Sequence, residues 1–290
     1  MDIRNIKEEP IEIKDQSYLE HIYDLQSFLL EGYIGKIEKD LPYPPIDINS
    51  RSGQLVLKDF TARVIEEMGE GYESTGYALD ILNKVGFNVD ILSNEDHRML
   101  LNHLQNSNEE QADAMAFFVS LLMYSNIWPE DIYRFVEVKE LSYKYSETWS
   151  RNMMNLMKVG LNLLLDRFPD ITSGNPYTIL QERDYDPERW SHIQGYIPGY
   201  NFLSNNLHDF EAQLCWEVTY HLCVARNFLK NKPWKQTEVM TDELRFQEEI
   251  VLAFLKYLGY LLYVGFKPDT FHRLFFKKHK VNIFRQRSNY

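Results

Sequence analysis

Two short acidic stretches contain the residues of this 290-residue chain best suited to chemistry. Glu67 and Glu70 are three residues apart in the first, and Glu110 and Asp113 have the same spacing in the second. A three-residue step on an α-helix places both side chains on one face. Two such helices packed antiparallel would direct four carboxylates at one point, where they would repel one another without a cation. Because all the ligand atoms would be oxygens, the pattern predicts bound magnesium, with manganese as the alternative.

The residues around the second acidic pair predict a buried helix. Between positions 112 and 122 only Asp113 and Ser120 interrupt a run of apolar side chains, which is typical of a helix in a protein core. A carboxylate on such a helix needs a partner. Most helices with this acidic spacing simply expose a charged face to solvent. The apolar residues around the second pair argue against that alternative and favour a metal site.

A proline-rich segment leads into the first acidic helix. It runs from Leu41 to Asn49, contains Pro42, Pro44 and Pro45, and continues through Gly53-Gln54. This segment, the Glu-Glu-x-Gly-Glu stretch at 66–70 and the Glu-x-x-Asp stretch at 110–113 resemble the all-α nucleoside triphosphate pyrophosphohydrolases. That superfamily includes the MazG proteins and the dimeric, all-helical dUTPases, among them phage dUTPase/dCTPase enzymes. The spacer between the acidic stretches is longer than in the compact MazG proteins.

The basic end of the chain adds to this resemblance. Lys280-Val-Asn282-Ile-Phe-Arg285 is similar to the Lys-x-Asn-x-x-Arg motif that closes phage-type dUTPases and contacts the triphosphate. Lys278, Asn282 and Arg285 would share one helical face. The predicted phosphate-binding residues are Lys278, Lys280, Asn282, Arg285 and Arg287.

The resemblance implies magnesium-dependent hydrolysis of a nucleoside triphosphate to the monophosphate and pyrophosphate, with dUTP expected first and dCTP second. The metal would be held by Glu67, Glu70, Glu110 and Asp113. Glu66, turned about 100° from Glu67 on a helix, is predicted to hold a second metal or orient the attacking water, which makes Glu66 and Glu67 the catalytic residues. Asn49 and Gln54 have amides suited to a pyrimidine edge and are the predicted base-binding residues.

The chain also repeats itself in two blocks. Residues 57–62 align with residues 207–212 at an offset of 150, which brings Glu67 onto Glu217. A block at an offset of 139 aligns seven identical pairs: Glu109 and Glu248, Glu110 and Glu249, Ala114 and Ala253, Leu122 and Leu261, Tyr124 and Tyr263, Pro129 and Pro268, Arg134 and Arg273. Two collinear blocks predict an internal duplication. The expected fold is therefore an all-α helical bundle made of two copies of one unit, residues 1–168 and 169–290.

The second copy keeps only Glu217 and Glu249 of the acidic residues, because positions 216, 220 and 252 are Trp, Tyr and Leu. We hypothesise that the ammonium of Lys256 takes the place of the metal there. The alternative is that Lys256 extends to solvent. Since the basic end belongs to the second copy, the first would hold the metal and the second would supply phosphate ligands to one composite site.

Composition limits the remaining classes. A net charge of −12 argues against a general nucleic-acid-binding protein, because phosphate neutralisation needs a basic surface. The N-terminus lacks the apolar core of a secretory signal, and the longest uncharged run, 114–129, is shorter than a membrane span. Cys215 and Cys223 predict neither a disulfide framework nor a zinc site. We expect a cytoplasmic enzyme without membrane or nucleic-acid partners, either a monomer with pseudo-dimeric halves or a homodimer.

Two other function classes match parts of the sequence. The loss of acids from the second copy is compatible with a catalytically inactive helical interaction module. His208-Asp209 is the dipeptide of HD-domain phosphohydrolases, but His208 aligns with Lys58 in the repeat and no suitable upstream histidine ends a helix.

Overall fold

The computed structural model describes residues 18–34, 37–86, 88, 91–145, 148–168, 205–229 and 241–288. Within these ranges the chain forms nine α-helices and no strand, which confirms the all-α prediction. They are α1 Tyr18–Tyr33, α2 Arg51–Lys84, α3 Asn94–Tyr124, α4 Pro129–Val138, α5 Leu141–Tyr145, α6 Met153–Arg167, α7 Asn205–Phe228, α8 Glu243–Tyr263 and α9 Pro268–Arg287. The predicted N-terminal arm and the irregular segment in which the boundary between the halves was predicted, 169–200, lie outside the described residues.

The two acidic stretches lie on α2 and α3, which pack antiparallel. Phe60 near the start of α2 stacks on Tyr124 at the end of α3, while Thr75 further along α2 bonds Ser107. The helices approach closely at Gly71, where an added Cβ would lie 2.5 Å from Nε2 of Gln111. This antiparallel packing brings the middle of α2 beside the middle of α3.

The second half contains a similar antiparallel pair, α7 and α8, and the turns that follow α3 and α8 can be compared directly. The turn after α3 and the turn after α8 have the same hydrogen bonds, from Ile127 N to Leu122 O and from Phe266 N to Leu261 O, both 2.9 Å long. Both turns contain a residue in the left-handed region, Asn126 (φ 57°) and Gly265 (φ 100°). These positions are 139 residues apart in every case, the offset found in the sequence.

Two ion pairs between the halves follow the same offset. Lys278 Nζ lies 3.4 Å from Glu109 Oε2, and Lys139 Nζ lies 2.7 Å from Glu248 Oε1. Lys139 and Glu109 of the first half thus correspond to Lys278 and Glu248 of the second. Such reciprocal pairs are typical of a twofold interface, in which residue i contacts j and j contacts i.

α1 and α6 cover the outer sides of these pairs. α6 crosses α8 at Gly160 and Gly259, where a Cβ on Gly259 would lie 2.2 Å from the carbonyl carbon of Gly160. α1 packs against α9 and α3, and Gln286 of α9 donates to the Leu29 carbonyl of α1. No single described helix is long and apolar enough to cross a membrane, although α8 and α9, bent by 104°, pass that test of length and composition together.

The acids of the second half contact basic residues. Lys256 Nζ lies 2.6 Å from Glu217 Oε2, and their side chains are only 9% and 8% exposed. Glu249 lies 2.6 Å from Nδ1 of His221 rather than at Lys256. The alternative that Lys256 extends to solvent is therefore wrong, whereas the predicted proximity of Lys256 to Glu217 is confirmed.

We expect Lys256→Ala to lower the free energy of unfolding by about 3–5 kcal/mol, because it leaves the Glu217 carboxylate buried without its main partner. Lys139→Ala is a matched control, since Lys139 forms an ion pair in which both side chains are substantially exposed, 46% and 31%. Exposed pairs contribute only about 0–1 kcal/mol. Urea denaturation of both variants measures the difference, and equal losses would contradict a stabilising role of the Lys256–Glu217 pair.

Candidate metal and phosphate site

Three of the four predicted metal ligands meet where α2 packs on α3. One carboxylate oxygen each from Glu67, Glu70 and Glu110 lies within 4.8 Å of the others. Glu67 and Glu110 are half-buried and Glu70 is exposed. Three oxygens at this spacing match the ligand type that magnesium or manganese prefers, and the open side at Glu70 leaves room for water or substrate.

The site is costly to keep fully ionised. Burial, the Asp113 carboxylate and a hydrogen bond from Glu67 to Glu110 raise the pKa of Glu67 to about 8. Burial also raises the pKa of Glu110, although the Lys278 ammonium opposes this rise. Three acids this close favour a proton on one of them, because burial and the neighbouring carboxylates disfavour a further negative charge.

Asp113, the fourth predicted ligand, faces α9. Its Oδ2 lies 2.8 Å from Lys278 Nζ, and the Lys278 side chain is only 8% exposed. Burial raises the pKa of Asp113, while Lys278, Arg285 and a hydrogen bond from Asn282 oppose that rise. Asp113 therefore connects the acidic residues of the first half to the basic face of α9.

The predicted phosphate-binding residues divide according to helical geometry. Lys278, Asn282 and Arg285 follow one another at i, i+4 and i+7, and all three act on Asp113. Lys280 is exposed, with its Nζ 4.9 Å from the centroid of the Phe276 ring, and Arg287 is exposed beside Phe28 and Glu31. The structure brings three of the five residues to the acidic site, and the other two point elsewhere because their spacing turns them off that face.

A cavity of about 380 Å³ opens beside the carboxylates, between α1, α2, α3 and α9. Its wall combines acids, bases, amides and aromatic rings: Gln26, Leu29, Leu30, Tyr33, Ile37, Phe60, Arg63, Glu67, Asp113, Ala116, Phe117, Ser120, Asn282, Arg285 and Gln286. A concave, largely apolar pocket with a few convergent polar groups is typical of a small-molecule site. Both halves of the chain contribute to this wall.

Gln26 has a hydrogen-bond acceptor without a partner in this wall. Its side chain is buried, and its Nε2 donates to Ser120 Oγ at 2.9 Å. Ser120 Oγ in turn donates to the Ala116 carbonyl, so it accepts from Gln26 and sets the orientation of the amide. Within the described part of the chain, the Oε1 atom of Gln26 has no hydrogen-bond partner. A buried, unpaired acceptor beside a cavity is available to a hydrogen-bond donor that enters the cavity.

Arg63 is the second polar group of this wall that the sequence analysis missed. Glu38 and Asp59 hold it through contacts of 3.1 Å to Nη2 and 2.8 Å to Nε. Its guanidinium lies 5.6 Å and 5.5 Å from the centroids of the Phe60 and Phe117 rings. A planar cation fixed against aromatic rings is suited to binding a flat or anionic ligand.

The predicted base-binding residues are not among those lining the cavity. The Gln54 amide is buried and donates to Ile48 O at 2.9 Å and to Thr241 Oγ1 at 2.6 Å, which gives it a structural role. Asn49 is exposed next to Asp47. Glu66 is exposed one position before Glu67, and its catalytic role stays a prediction.

One sequence signal identifies Gln26. Ile22, Gln26 and Leu30 follow one another at four-residue spacing, so Gln26 interrupts the apolar stripe with which α1 packs on the core. A polar residue at a core position is destabilising unless it has a hydrogen-bond partner, so its presence there indicates a partner or a function. No comparable signal marks Tyr33 or Arg63, because exposed and half-buried helical positions accept such residues freely.

No family model, curated protein or solved structure matches this chain. The resemblance to the all-α pyrophosphohydrolases therefore depends on the motifs quoted above. Function has to be inferred from the carboxylates, the basic face of α9 and the cavity between them.

The raised pKa of Glu67 predicts how the metal-free protein responds to pH. Because the folded state binds a proton more tightly than the unfolded chain, stability is fully retained below pH 4.5 and decreases as pH rises through about 8. Allowing for solvent screening, we expect a loss of roughly 1 kcal/mol between pH 7 and 9 in a chelating buffer. Urea denaturation at several pH values measures it.

Glu67→Gln should remove this slope, and Asp80→Asn, an exposed acid further along α2, should leave it unchanged. An unchanged slope in Glu67→Gln would contradict the assignment of the proton to this carboxyl group.

Proposed function

We propose that this protein is a magnesium-dependent nucleoside triphosphate pyrophosphohydrolase, with deoxypyrimidine triphosphates, dUTP before dCTP, as the expected substrates. The observation that carries the proposal is one cavity whose wall includes Glu67 and Asp113 of the acidic helices together with Asn282 and Arg285 of the basic helix. A triphosphate needs both a metal site and cationic donors, and a base needs an enclosed apolar cleft with hydrogen-bonding groups.

Glu67, Glu70 and Glu110 would hold the metal, with Asp113 next to them. When bound, the ion would neutralise phosphate charge and lower the pKa of a coordinated water. Asn282 and Arg285 would donate to phosphate oxygens and thereby hold the chain of phosphates in line for attack. Lys278 would stabilise the negative charge that builds on the leaving group when a phosphate lies next to the Lys278 ammonium, beside Asp113.

The balanced reaction is the addition of one water to one phosphorus, with loss of pyrophosphate from the nucleotide. Glu66 is the predicted residue to orient this water, since it is exposed one helical step from the metal ligand Glu67.

The base would enter the cavity towards Gln26. Oε1 of Gln26 would accept a hydrogen bond from the N3–H of uracil or the exocyclic amine of cytosine. Arg63, Phe60 and Phe117 would form one side of the pocket. This assignment takes the place of the earlier one to Asn49 and Gln54.

We also infer that the two halves derive from an internal duplication and act as one composite site. The repeated turn hydrogen bonds and the reciprocal pairs Lys278–Glu109 and Lys139–Glu248 support this inference. The stacking of Phe118 on Tyr257, which occupy equivalent positions, also supports it, because such residues meet only near a twofold axis.

One observation favours an inactive helical interaction module instead. Lys278 is buried and already paired with Asp113, as a purely structural ion pair would be. In that case neither residue would be available to metal or phosphate.

The release of pyrophosphate from a panel of deoxynucleoside triphosphates, with magnesium and with chelator, distinguishes these functions. We expect magnesium-dependent release with a preference for dUTP. A preference for a purine triphosphate would contradict the substrate assignment, and no release from any member of the panel would favour the interaction module. Asp80→Asn is the matched acidic control, because it lies on α2 outside the carboxylate cluster.

A further inference from the structure

Three buried or half-buried histidines lie along the contact between α1 and α9, which we call the α1–α9 seam: His21, His272 and His279. The two helices of the seam also form much of the cavity wall, with Gln26 and Tyr33 on α1 and Asn282, Arg285 and Gln286 on α9. Any event that separates the seam would therefore open the cavity.

His21 and His272 share a single hydrogen. Nδ1 of His21 lies 2.7 Å from Nε2 of His272, so one nitrogen donates and the other accepts. Protonation of both rings would place hydrogen on both facing nitrogens and two positive charges at hydrogen-bonding distance. The contact can therefore persist only while at least one ring is neutral.

His279 is two helical turns further along α9. Its side chain is buried against Phe28 of α1, and its Nδ1 has no hydrogen-bond partner among the residues that the structure describes. A proton on this nitrogen would be a buried donor and a buried charge without an acceptor, both of which are destabilising.

We propose that the α1–α9 seam is an acid-sensitive latch, in which neutral histidines hold α9 against α1 and their protonation releases α9 and opens the cavity.

The charged groups around the seam support the direction of this response. Asp24 on α1 favours a charge on His21, but the pKa of His21 is still lowered, first by burial. On α9, Arg273 lies near His272 and Lys280 near His279, and both cations oppose protonation. Burial, the largest cause, lowers the pKa of His272 and of His279 to about 4.

Asp113, the neighbouring acid on α3, acts in the opposite direction. Asp113 contacts Lys278 of α9, and burial raises the pKa of Asp113, so a fall in pH stabilises the folded state through this group. A weaker seam at low pH must therefore come from the histidines. For a base whose folded pKa is lowered, stability is complete above the unfolded value of 6.5 and is lost as pH falls towards 4.

Hydrogen exchange of the wild-type protein tests the proposal without reference to enzymatic activity. Between pH 7.5 and 5.5 each of His272 and His279 shifts the opening equilibrium about tenfold, so protection factors of α1 and α9 should fall roughly 100-fold. Protection of α7 and α8 should change much less. A uniform loss in all helices, or no loss in α1 and α9, would overturn the proposal.

A variant with His272→Phe and His279→Leu removes both protonation sites while keeping apolar volume. We expect its protection factors on α1 to change less than threefold over the same range. His97→Phe on the first part of α3 is the matched control and should keep the wild-type response. If the double variant retains a 100-fold change, the histidines are not the latch; if it fails to fold, the comparison of helices in the wild-type protein decides.

Discussion

Glu67→Gln and Glu110→Gln should each lower magnesium-dependent pyrophosphate release by roughly 10²–10³-fold, the size of effect that follows loss of one preorganised electrostatic group. Both substitutions remove a carboxylate from the three that meet within 4.8 Å. They also relieve repulsion in the metal-free state, so stability in a chelating buffer should be unchanged or increased. Initial rates over a range of magnesium concentrations, together with urea denaturation, measure both effects.

Asp113→Asn is a less suitable test, because it would leave buried Lys278 without its closest partner and combine loss of activity with loss of stability. Glu217→Gln is the informative comparison, since Glu217 corresponds to Glu67 in the repeat but pairs with Lys256. It should reduce stability more than activity. Equal loss of activity from Glu67→Gln and Glu217→Gln, with unchanged stability, would contradict a single metal site in the first half.

Gln26→Leu should lower kcat/KM for dUTP about 10- to 100-fold, because the donor of the base would be buried without an acceptor, at a cost of about 1–3 kcal/mol. Gln26→Glu keeps an oxygen in the same place and should retain more activity. The relevant comparison is kcat/KM for dUTP and dCTP in each variant.

Gln213→Leu, a loss of the same amide from an exposed position of α7, is the matched control and should have no effect. If Gln26→Leu has wild-type kinetics with every nucleotide, the base does not enter the cavity beside Gln26. Pyrophosphate release would remain, so this failure is distinct from failure of the proposed activity.

Helical periodicity and three-residue acidic spacing were enough to predict the helices that carry the site. They predicted that α2 and α3 carry Glu67, Glu70, Glu110 and Asp113, because spacing along a helix determines which side chains share a face. The same rule selected Lys278, Asn282 and Arg285 as one face of α9. Lys280 and Arg287 are two and nine residues after Lys278, so helical geometry directs their side chains away from the acids.

The proposed internal repeat also made a long-range expectation possible. Matching residues at an offset of 139 predicted equivalent elements, and the turns after α3 and α8 have equivalent hydrogen bonds. The alignment at an offset of 150 placed Glu217 at the position of Glu67, and Lys256 lies beside it in a buried contact. A repeat allows this because each copy must bury the same apolar faces in the same way.

The cavity was decided by tertiary structure alone. Gln26, Arg63 and Asn282 are far apart in the sequence and lie on three helices, and only the packing of α1 and α9 on α2 and α3 brings them together. The pairing of Asp113 with Lys278, and of His21 with His272, likewise depends on how α9 docks. Local spacing determines the face of one helix, whereas the partner of that face depends on which apolar surfaces bury each other best across the whole chain.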